Sequence, residues 1–380
     1  MKKRIAIFGS TGSIGGSTLK VIRRNPERFE VSALVAGQNV EKLSEQIREF
    51  SPRHVYIASP AHRELLLRRF PGLDVYCGGT QGLEEIAALE DFDLGVSALV
   101  GIAGLSPTLK MIQNGKDVAL ANKEVLVTGG ALVTGAAAQS GARLLTVDSE
   151  HSAVMQCLRG ENPRRLSRIF LTASGGPFLD REITDAVTPE QALAHPTWKM
   201  GAKVSIDSAT MMNKGFEIIE AMWLFGAALP QIEVVIHRQS LVHSMAEFSD
   251  GTIMASIAPA SMELPIAYAL AYPDRLPAPR RLDLFEIGAL RFERPDPKKF
   301  PCLRLARQAA ESGPCAQIAL NAADEVLVQA FLEGKIRFTD IPRGVETALA
   351  FDLGEPPRSA EEILALDRAV RRRLAEALRL

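Results

Sequence analysis

Between residues 4 and 147 short apolar runs alternate with helical patterns, and few folds accommodate that order. The runs are Ile5 to Phe8, Val31 to Val35, Val55 to Ala58, Leu94 to Leu99, Val118 to Ala121 and Leu144 to Val147. Amphipathic segments such as Thr18 to Arg24, Val40 to Phe50 and Leu105 to Gln113 lie between them. A strand that is apolar throughout needs cover on both faces, which a crossover helix supplies. The alternation therefore predicts an α/β domain with a doubly wound, Rossmann-like parallel sheet.

The first strand runs into Gly9-Ser10-Thr11-Gly12-Ser13-Ile14-Gly15. Its spacing is G-x-x-G-x-x-G, and the glycines let backbone approach a pyrophosphate while the following helix presents its amide groups. The second strand ends Ala36-Gly37-Gln38-Asn39. An NAD enzyme carries an acidic residue there for the ribose 2′-hydroxyl. Its absence favours NADPH, although Gln38 brings no positive charge of its own.

A later strand ends in Ala121-Asn122-Lys123-Glu124, the end of a strand at which such sheets bind ligands. The sixth ends in Val147-Asp148-Ser149-Glu150-His151. Read as extended chain, Asp148 and Glu150 share one side. Two carboxylates that close call for a proton or a cation, and oxygen ligands suit Mg²⁺ or Mn²⁺.

From residue 150 the pattern changes. Ser174-Gly175-Gly176-Pro177-Phe178 is a turn rich in small donors. His195-Pro196-Thr197-Trp198-Lys199-Met200-Gly201 is bounded by helix breakers, the composition of a mobile lid. Then follows Asp207-Ser208-Ala209-Thr210-Met211-Met212-Asn213-Lys214-Gly215, in which Ser208, Asn213 and Lys214 suit a phosphate. Glu217 falls on a helix running to Phe225. Residues 232 to 257 alternate as strands, with Asp250-Gly251 as a hairpin turn, so an open sheet is expected. His237 and His243 are expected on strand or loop surfaces, without a partner histidine spaced for a metal. Six prolines between 272 and 301 read as an extended linker, and the remainder as helices. Ser359 and Glu362 form a capping box, and Arg371-Arg372-Arg373 reads as a solvated face.

A length of 380 residues implies more than one domain. The expected division is a cofactor domain (1–149), an α+β catalytic domain (150–271) with its lid at 195–201, a proline-rich linker (272–297) and a C-terminal helical bundle (298–380). A net charge of -1 gives no attraction for nucleic acid or a membrane surface. Four scattered cysteines, no apolar run near ~20 residues and no leader-like start point to a cytoplasmic protein.

Six segments, Gly9 to Gly15, Ala121 to Glu124, Val147 to His151, Ser174 to Phe178, Asp207 to Gly215 and Ala319 to Ala323, together resemble the 1-deoxy-D-xylulose 5-phosphate reductoisomerase family. The resemblance covers essentially the whole chain, in order. It implies NADPH-dependent conversion of 1-deoxy-D-xylulose 5-phosphate to 2-C-methyl-D-erythritol 4-phosphate by a homodimer. It also implies Mg²⁺, Mn²⁺ or Co²⁺ on Asp148, Glu150 and Glu217. The substrate phosphate falls to Ser174, Ser208, Asn213 and Lys214, with further substrate contacts from Lys123, Ser149, Glu150, His195, Trp198 and Glu217. Lys123, Asp148 and Glu150 are the residues implied to be catalytic. NADPH contacts carry over to Thr11, Gly12, Ser13, Ile14, Gly37, Gln38, Asn39, Asn122, Glu124 and Gly201. Two positions depart from the family pattern: Gln38, where relatives often have Lys or Arg, and Lys199, where they often have a small polar residue. The alternatives to this reading are a metal-free NADPH-dependent semialdehyde reductase and a dinucleotide-sensing regulator without catalysis.

Overall fold

A computed structural model describes residues 1–380, which form two compact units. The first comprises residues 1–125, 131–149 and 261–278. Its sheet has seven strands: β1 (Lys3–Phe8), β2 (Phe29–Ala36), β3 (His54–Ile57), β4 (Asp74–Tyr76), β5 (Leu94–Ser97), β6 (Asp117–Leu120) and β7 (Leu144–Thr146). Their order is β4-β3-β2-β1-β5-β6-β7 and every pairing is parallel. The order reverses at β1, so the glycine turn leaves the sheet at its switch point. Ile5, Ile7, Leu34, Val55, Val96 and Leu145 are all buried and form the core with the covering helices. β4 is the one strand that the periodicity did not predict. It has three residues, and of these only Val75 is buried.

The helix Glu263–Ala271 also belongs to this unit. Ile266 and Leu270 are buried in its core, and Leu270 O accepts from Lys3 Nζ at 3.0 Å. The expected catalytic domain, 150–271, thus includes a helix that packs elsewhere, because the apolar face of that helix completes the parallel-sheet core.

The second unit comprises residues 126–130, 150–260 and 279–380. It holds a mixed sheet of β8 (Leu166–Ala173), β9 (Ile232–Ile236), β10 (Val242–Phe248) and β11 (Ile253–Ile257), in the order β11-β10-β8-β9. β8 and β9 run parallel and the other pairs antiparallel, with Asp250-Gly251 at the β10–β11 hairpin and Gly251 at φ +83°. The C-terminal helices pack against the helix Met212–Phe225 of the same unit. Phe216 and Ile219 share one core with Leu305, Ala309, Leu320 and Leu327.

Four further expectations change. The proline-rich stretch is not a free linker, since Glu293 bridges to Ile236 and ion-pairs with Arg238 at 2.7 Å. His237 and His243 are buried: His237 Nδ1 meets Arg291 O at 2.8 Å and His243 Nε2 meets Ala258 O at 3.1 Å. Their apolar faces pack while each polar edge keeps one carbonyl partner. Arg371 is not merely solvated, for it ion-pairs with Asp367 at 2.6 Å and Glu325 at 2.8 Å. The capping box is half made: Ser359 Oγ accepts from Glu362 N, while the Glu362 carboxylate accepts from Arg358 N.

Candidate active site

In the first unit the glycine turn is shaped by close packing. Gly9 has φ +96°, and a Cβ there would lie 2.3 Å from Ala98 O. A Cβ on Gly15 would lie 2.4 Å from Gly9 O, so backbone packs directly on backbone. The helix Ser13–Arg24 starts at Gly12 with no side-chain cap and no acidic residue in its first turn. Its leading amides are therefore open to an anion. Gly37, Gln38 and Asn39 are exposed after β2. Asn39 caps the next helix, accepting from Lys42 N at 3.0 Å, and Lys42 Nζ donates to Thr11 O at 2.8 Å.

Asn122 is buried, and its amide donates to Leu99 O at 2.5 Å and Gly101 O at 2.9 Å. Its side chain thus braces the loop after β5. Lys123 and Glu124 follow at the start of a helix, both buried. Lys123 Nζ lies 2.6 Å from Asp148 Oδ2. A cation seldom buries unless paired, and Asp148 supplies the pair.

The extended reading of Asp148 to Glu150 needs correction. β7 stops at Thr146, and Ser149 opens a helix that runs to Cys157. Glu150 stands in the first turn of that helix, where the dipole favours a carboxylate.

In the second unit Glu150 belongs to a chain of charged side chains. Lys214, 3% exposed, contacts Glu150 Oε1 at 2.7 Å and also Glu217. Asn213 Nδ2 donates to Glu217 Oε1 at 2.6 Å. Buried His151 touches Glu217 O with Nε2 (2.9 Å) and Glu220 with Nδ1 (3.2 Å). One ammonium group, one amide and one imidazole thus fix the Glu217 segment in place.

The geometry behind Asn213 and Lys214 comes from Met211, a non-glycine residue at φ +64° between the helices Ala202–Thr210 and Met212–Phe225. Such a conformation costs on the order of 1 kcal/mol or more and persists where packing holds it; the Met211 side chain is buried. The Ser174 turn comes against the first of these helices at Gly176, where a Cβ would lie 2.7 Å from Ser208 O.

Ser174 Oγ and His195 Nε2 are 2.9 Å apart. His195 Nδ1 accepts from Thr197 N at 3.1 Å and Trp198 N at 2.9 Å. An acceptor at Nδ1 places the proton on Nε2, so Nε2–H donates to Ser174 Oγ. Burial holds the imidazole below its ordinary value of 6.5, in keeping with this neutral tautomer. Trp198 is half-buried and edge-on to His243, with centroids 6.1 Å apart. Gly201 caps the helix that carries Ser208.

The sequence reading passed over three groups. Lys42 was missed because its position in a helix carries no motif. His151 and Glu220 carry no spacing signal of their own, since their contact comes from two different helices. Lys203 lies 2.7 Å from Asp207 and 3.0 Å from Asp324, with both carboxylates buried; nothing in sequence links residues so far apart.

A glycine turn at the switch point of a parallel sheet, followed by a second unit with ammonium-bound carboxylates, defines a nucleotide-dependent oxidoreductase. Comparison with known proteins gives the family. The family description 1-deoxy-D-xylulose 5-phosphate reductoisomerase matches residues 5–130, and its C-terminal domain descriptions match 144–225 and 257–373. The reductoisomerase of Shouchella clausii is 48% identical over 376 residues, covering 98% of this chain and 99% of its own. That of Ralstonia pickettii is 48% identical over 378 residues, covering 97% and 95%. A DOX-P reductoisomerase crystal structure in complex with NADPH, fosmidomycin and magnesium superposes at TM-score 0.94 with 42% identity, covering 100% of this chain and 98% of that one. The Zymomonas mobilis enzyme in complex with NADPH gives 0.92 and 40%, covering 100% and 99%. The chain belongs to the 1-deoxy-D-xylulose 5-phosphate reductoisomerase family.

Proposed function

We propose that this protein converts 1-deoxy-D-xylulose 5-phosphate to 2-C-methyl-D-erythritol 4-phosphate, using NADPH and a divalent metal, in the formation of isoprenoid precursors. The observation that carries this reading is Lys214 between Glu150 and Glu217, in a chain 48% identical to named reductoisomerases over nearly its full length.

The residues fit a hard divalent ion. Asp148, Glu150 and Glu217 offer carboxylate oxygens, the donor type that Mg²⁺ and Mn²⁺ take. In this structure each is held by an ammonium group: Asp148 by Lys123, Glu150 and Glu217 by Lys214. In this structure the negative charge of all three carboxylates is thus compensated. When bound, the metal supplies Lewis-acid polarisation of the substrate's carbonyl and hydroxyl oxygens, and NADPH supplies the hydride.

The chain's own residues bind and orient. The Ser13 helix terminus takes the pyrophosphate, between Thr11, Gly12 and Ile14. Gly37, Gln38 and Asn39 line the adenosine ribose, and Asn122, Glu124 and Gly201 complete the cofactor contacts. Ser174, Ser208, Asn213 and Lys214 take the substrate phosphate: three neutral donors and one point charge. Ser174 can donate to that phosphate because its oxygen already accepts from His195. Lys123 and Ser149 contact the substrate's hydroxyl groups. The 195–201 segment closes over the substrate with Trp198, and phosphate binding energy drives that closure. Lys123, Asp148 and Glu150 act closest to the bonds that change.

A homodimer is supported by β11, an edge strand exposing Ile253 and Ile257, and by exposed Leu284, Phe285 and Phe292 in the same unit. A cytoplasmic location is supported by four free cysteines, and no helix is long and apolar enough to cross a membrane.

The test is NADPH oxidation, followed by the loss of the reduced cofactor's absorbance, with 1-deoxy-D-xylulose 5-phosphate as substrate. Turnover that a chelator abolishes and Mg²⁺ restores is expected. Turnover indifferent to the chelator refutes the metal reading, and no turnover with this substrate refutes the activity.

A further inference from the structure

The structure assigns to Lys42 the reading of the 2′-phosphate that distinguishes NADPH from NADH. This rests on the NADPH reading above and names the residue that enforces it.

In a doubly wound sheet the segment after the second strand lines the adenosine ribose, and a cation nearby accommodates a 2′-phosphate. Here that segment is Gly37-Gln38-Asn39, without charge. The first cation beyond it is Lys42, in the first turn of the helix Val40–Phe50. Its main-chain N–H is fixed by Asn39 Oδ1 at 3.0 Å, and its Nζ reaches Thr11 O at 2.8 Å. The side chain therefore lies across the gap between the ribose-lining segment and the glycine turn.

Three features make it a phosphate reader and not only a brace. Lys42 is exposed, so its ammonium group faces solvent beside the turn. One carbonyl takes one of three ammonium protons, and the other two can meet phosphate oxygens. The neighbouring acid, Glu41, is engaged by both terminal nitrogens of Arg69, at 2.9 and 2.8 Å, and this guanidinium holds its carboxyl below the ordinary range. The nearest acid in sequence is thus already neutralised, and the charge of Lys42 is left for an anion.

The experiment compares unmodified protein with Lys42→Met, which keeps the aliphatic stem, and Lys42→Arg, which keeps the charge. Steady-state kcat/KM is measured with NADPH and with NADH, and binding of 2′,5′-ADP and 5′-ADP is measured by calorimetry. Lys42→Met is expected to lower the NADPH-to-NADH ratio of kcat/KM by about tenfold or more, the weight of one charge-assisted hydrogen bond. It should weaken 2′,5′-ADP far more than 5′-ADP, and Lys42→Arg should restore most of both. Equal losses with both cofactors would make Lys42 a brace for the turn and overturn the proposal. So would an unchanged ratio. If the unmodified protein itself uses NADPH and NADH equally, the NADPH reading fails, and this inference with it.

Discussion

Lys214 Nζ lies 2.7 Å from Glu150 Oε1 and is held on its other side by Glu217, three residues along its own helix. One ammonium group thus shares two carboxylates and sits beside Asn213, which is itself bonded to Glu217. The proposed metal ligands and phosphate ligands are therefore not independent in this unit. A change at one carboxylate alters the charge that Lys214 feels, and with it the phosphate donor.

The first prediction follows from this coupling. Glu150→Gln keeps the shape of the side chain and removes its charge. Activity should fall by about 10²- to 10³-fold, the scale of losing one electrostatic stabiliser. NADPH titration, followed by protein fluorescence, should track the unmodified protein, because the glycine turn is untouched. Full activity of this variant in metal-free buffer would remove Glu150 from the ligand set.

A second prediction concerns His195. Its Nδ1 accepts two main-chain amides, and burial keeps its pKa below 6.5. A group whose folded pKa is depressed binds fewer protons folded than unfolded between the two values, so stability rises with pH across that window. For a histidine this means stability is complete above about 6.5 and is lost as pH falls towards the folded value. Protonation would place a proton on Nδ1 and expel both amides. An imidazole NMR titration should give a midpoint under 6.5, with the Thr197 and Trp198 amide signals shifting in step. A midpoint above 6.5 would show that the neutral tautomer is not what holds the loop.

Much of this arrangement was legible in the sequence, and the exceptions have physical causes. Strands buried on both faces write themselves as apolar runs, so β1, β2, β3, β5, β6 and β7 could be read directly. β4 has one buried residue and leaves no run. The helices Val40–Phe50 and Leu105–Gln113 fall at their predicted bounds because their apolar stripes are complete. Glu150 was placed on extended chain because Leu144 to Val147 reads as strand, whereas Ser149 starts a helix. The Ser174–His195 bond was not readable, since only the tertiary fold brings residues 174 and 195 within 2.9 Å. His237 and His243 were expected at surfaces because histidine is polar; their carbonyl partners, supplied by distant segments, allow burial.

A third prediction tests the buried cluster of Lys203, Asp207 and Asp324. Both carboxylates are almost fully buried, and Lys203 is their shared cation, over the Phe216 ring at 4.5 Å. Lys203→Met should cost about 3–5 kcal/mol, because it strands buried charge. Desolvation raises the Asp324 pKa above its ordinary 3.8 while Lys203 opposes the rise. A carboxyl with a raised folded pKa favours the folded state at low pH and loses that contribution as pH climbs above 3.8 through the folded value. Without Lys203 the loss should be larger, so the variant's Tm deficit should grow with pH across that window. Adding Asp324→Asn to Lys203→Met should recover part of it. A deficit independent of pH and unrelieved by the second change would show that Lys203 acts by packing alone.

The fourth prediction addresses the segment 195–201. Trp198 is half-buried and meets His243 edge-on, while its main-chain N–H is tied to His195, itself bonded to Ser174. The tryptophan and the proposed phosphate donor are thus linked through one imidazole. If phosphate capture draws this segment closed, the indole should leave water when a phosphonate analogue binds with Mg²⁺ and NADPH present. The chain has two tryptophans, so Trp223→Phe isolates Trp198. Its emission should shift to the blue on saturation. Ser208→Ala removes one neutral donor without touching the carboxylates. It should move the midpoint of that shift to roughly tenfold higher ligand, the effect of about one hydrogen bond. If the emission is identical in free and saturated protein, Trp198 is a fixed packing residue and the lid must be given up. If the shift occurs but Ser208→Ala leaves its midpoint in place, closure is driven by something other than the phosphate.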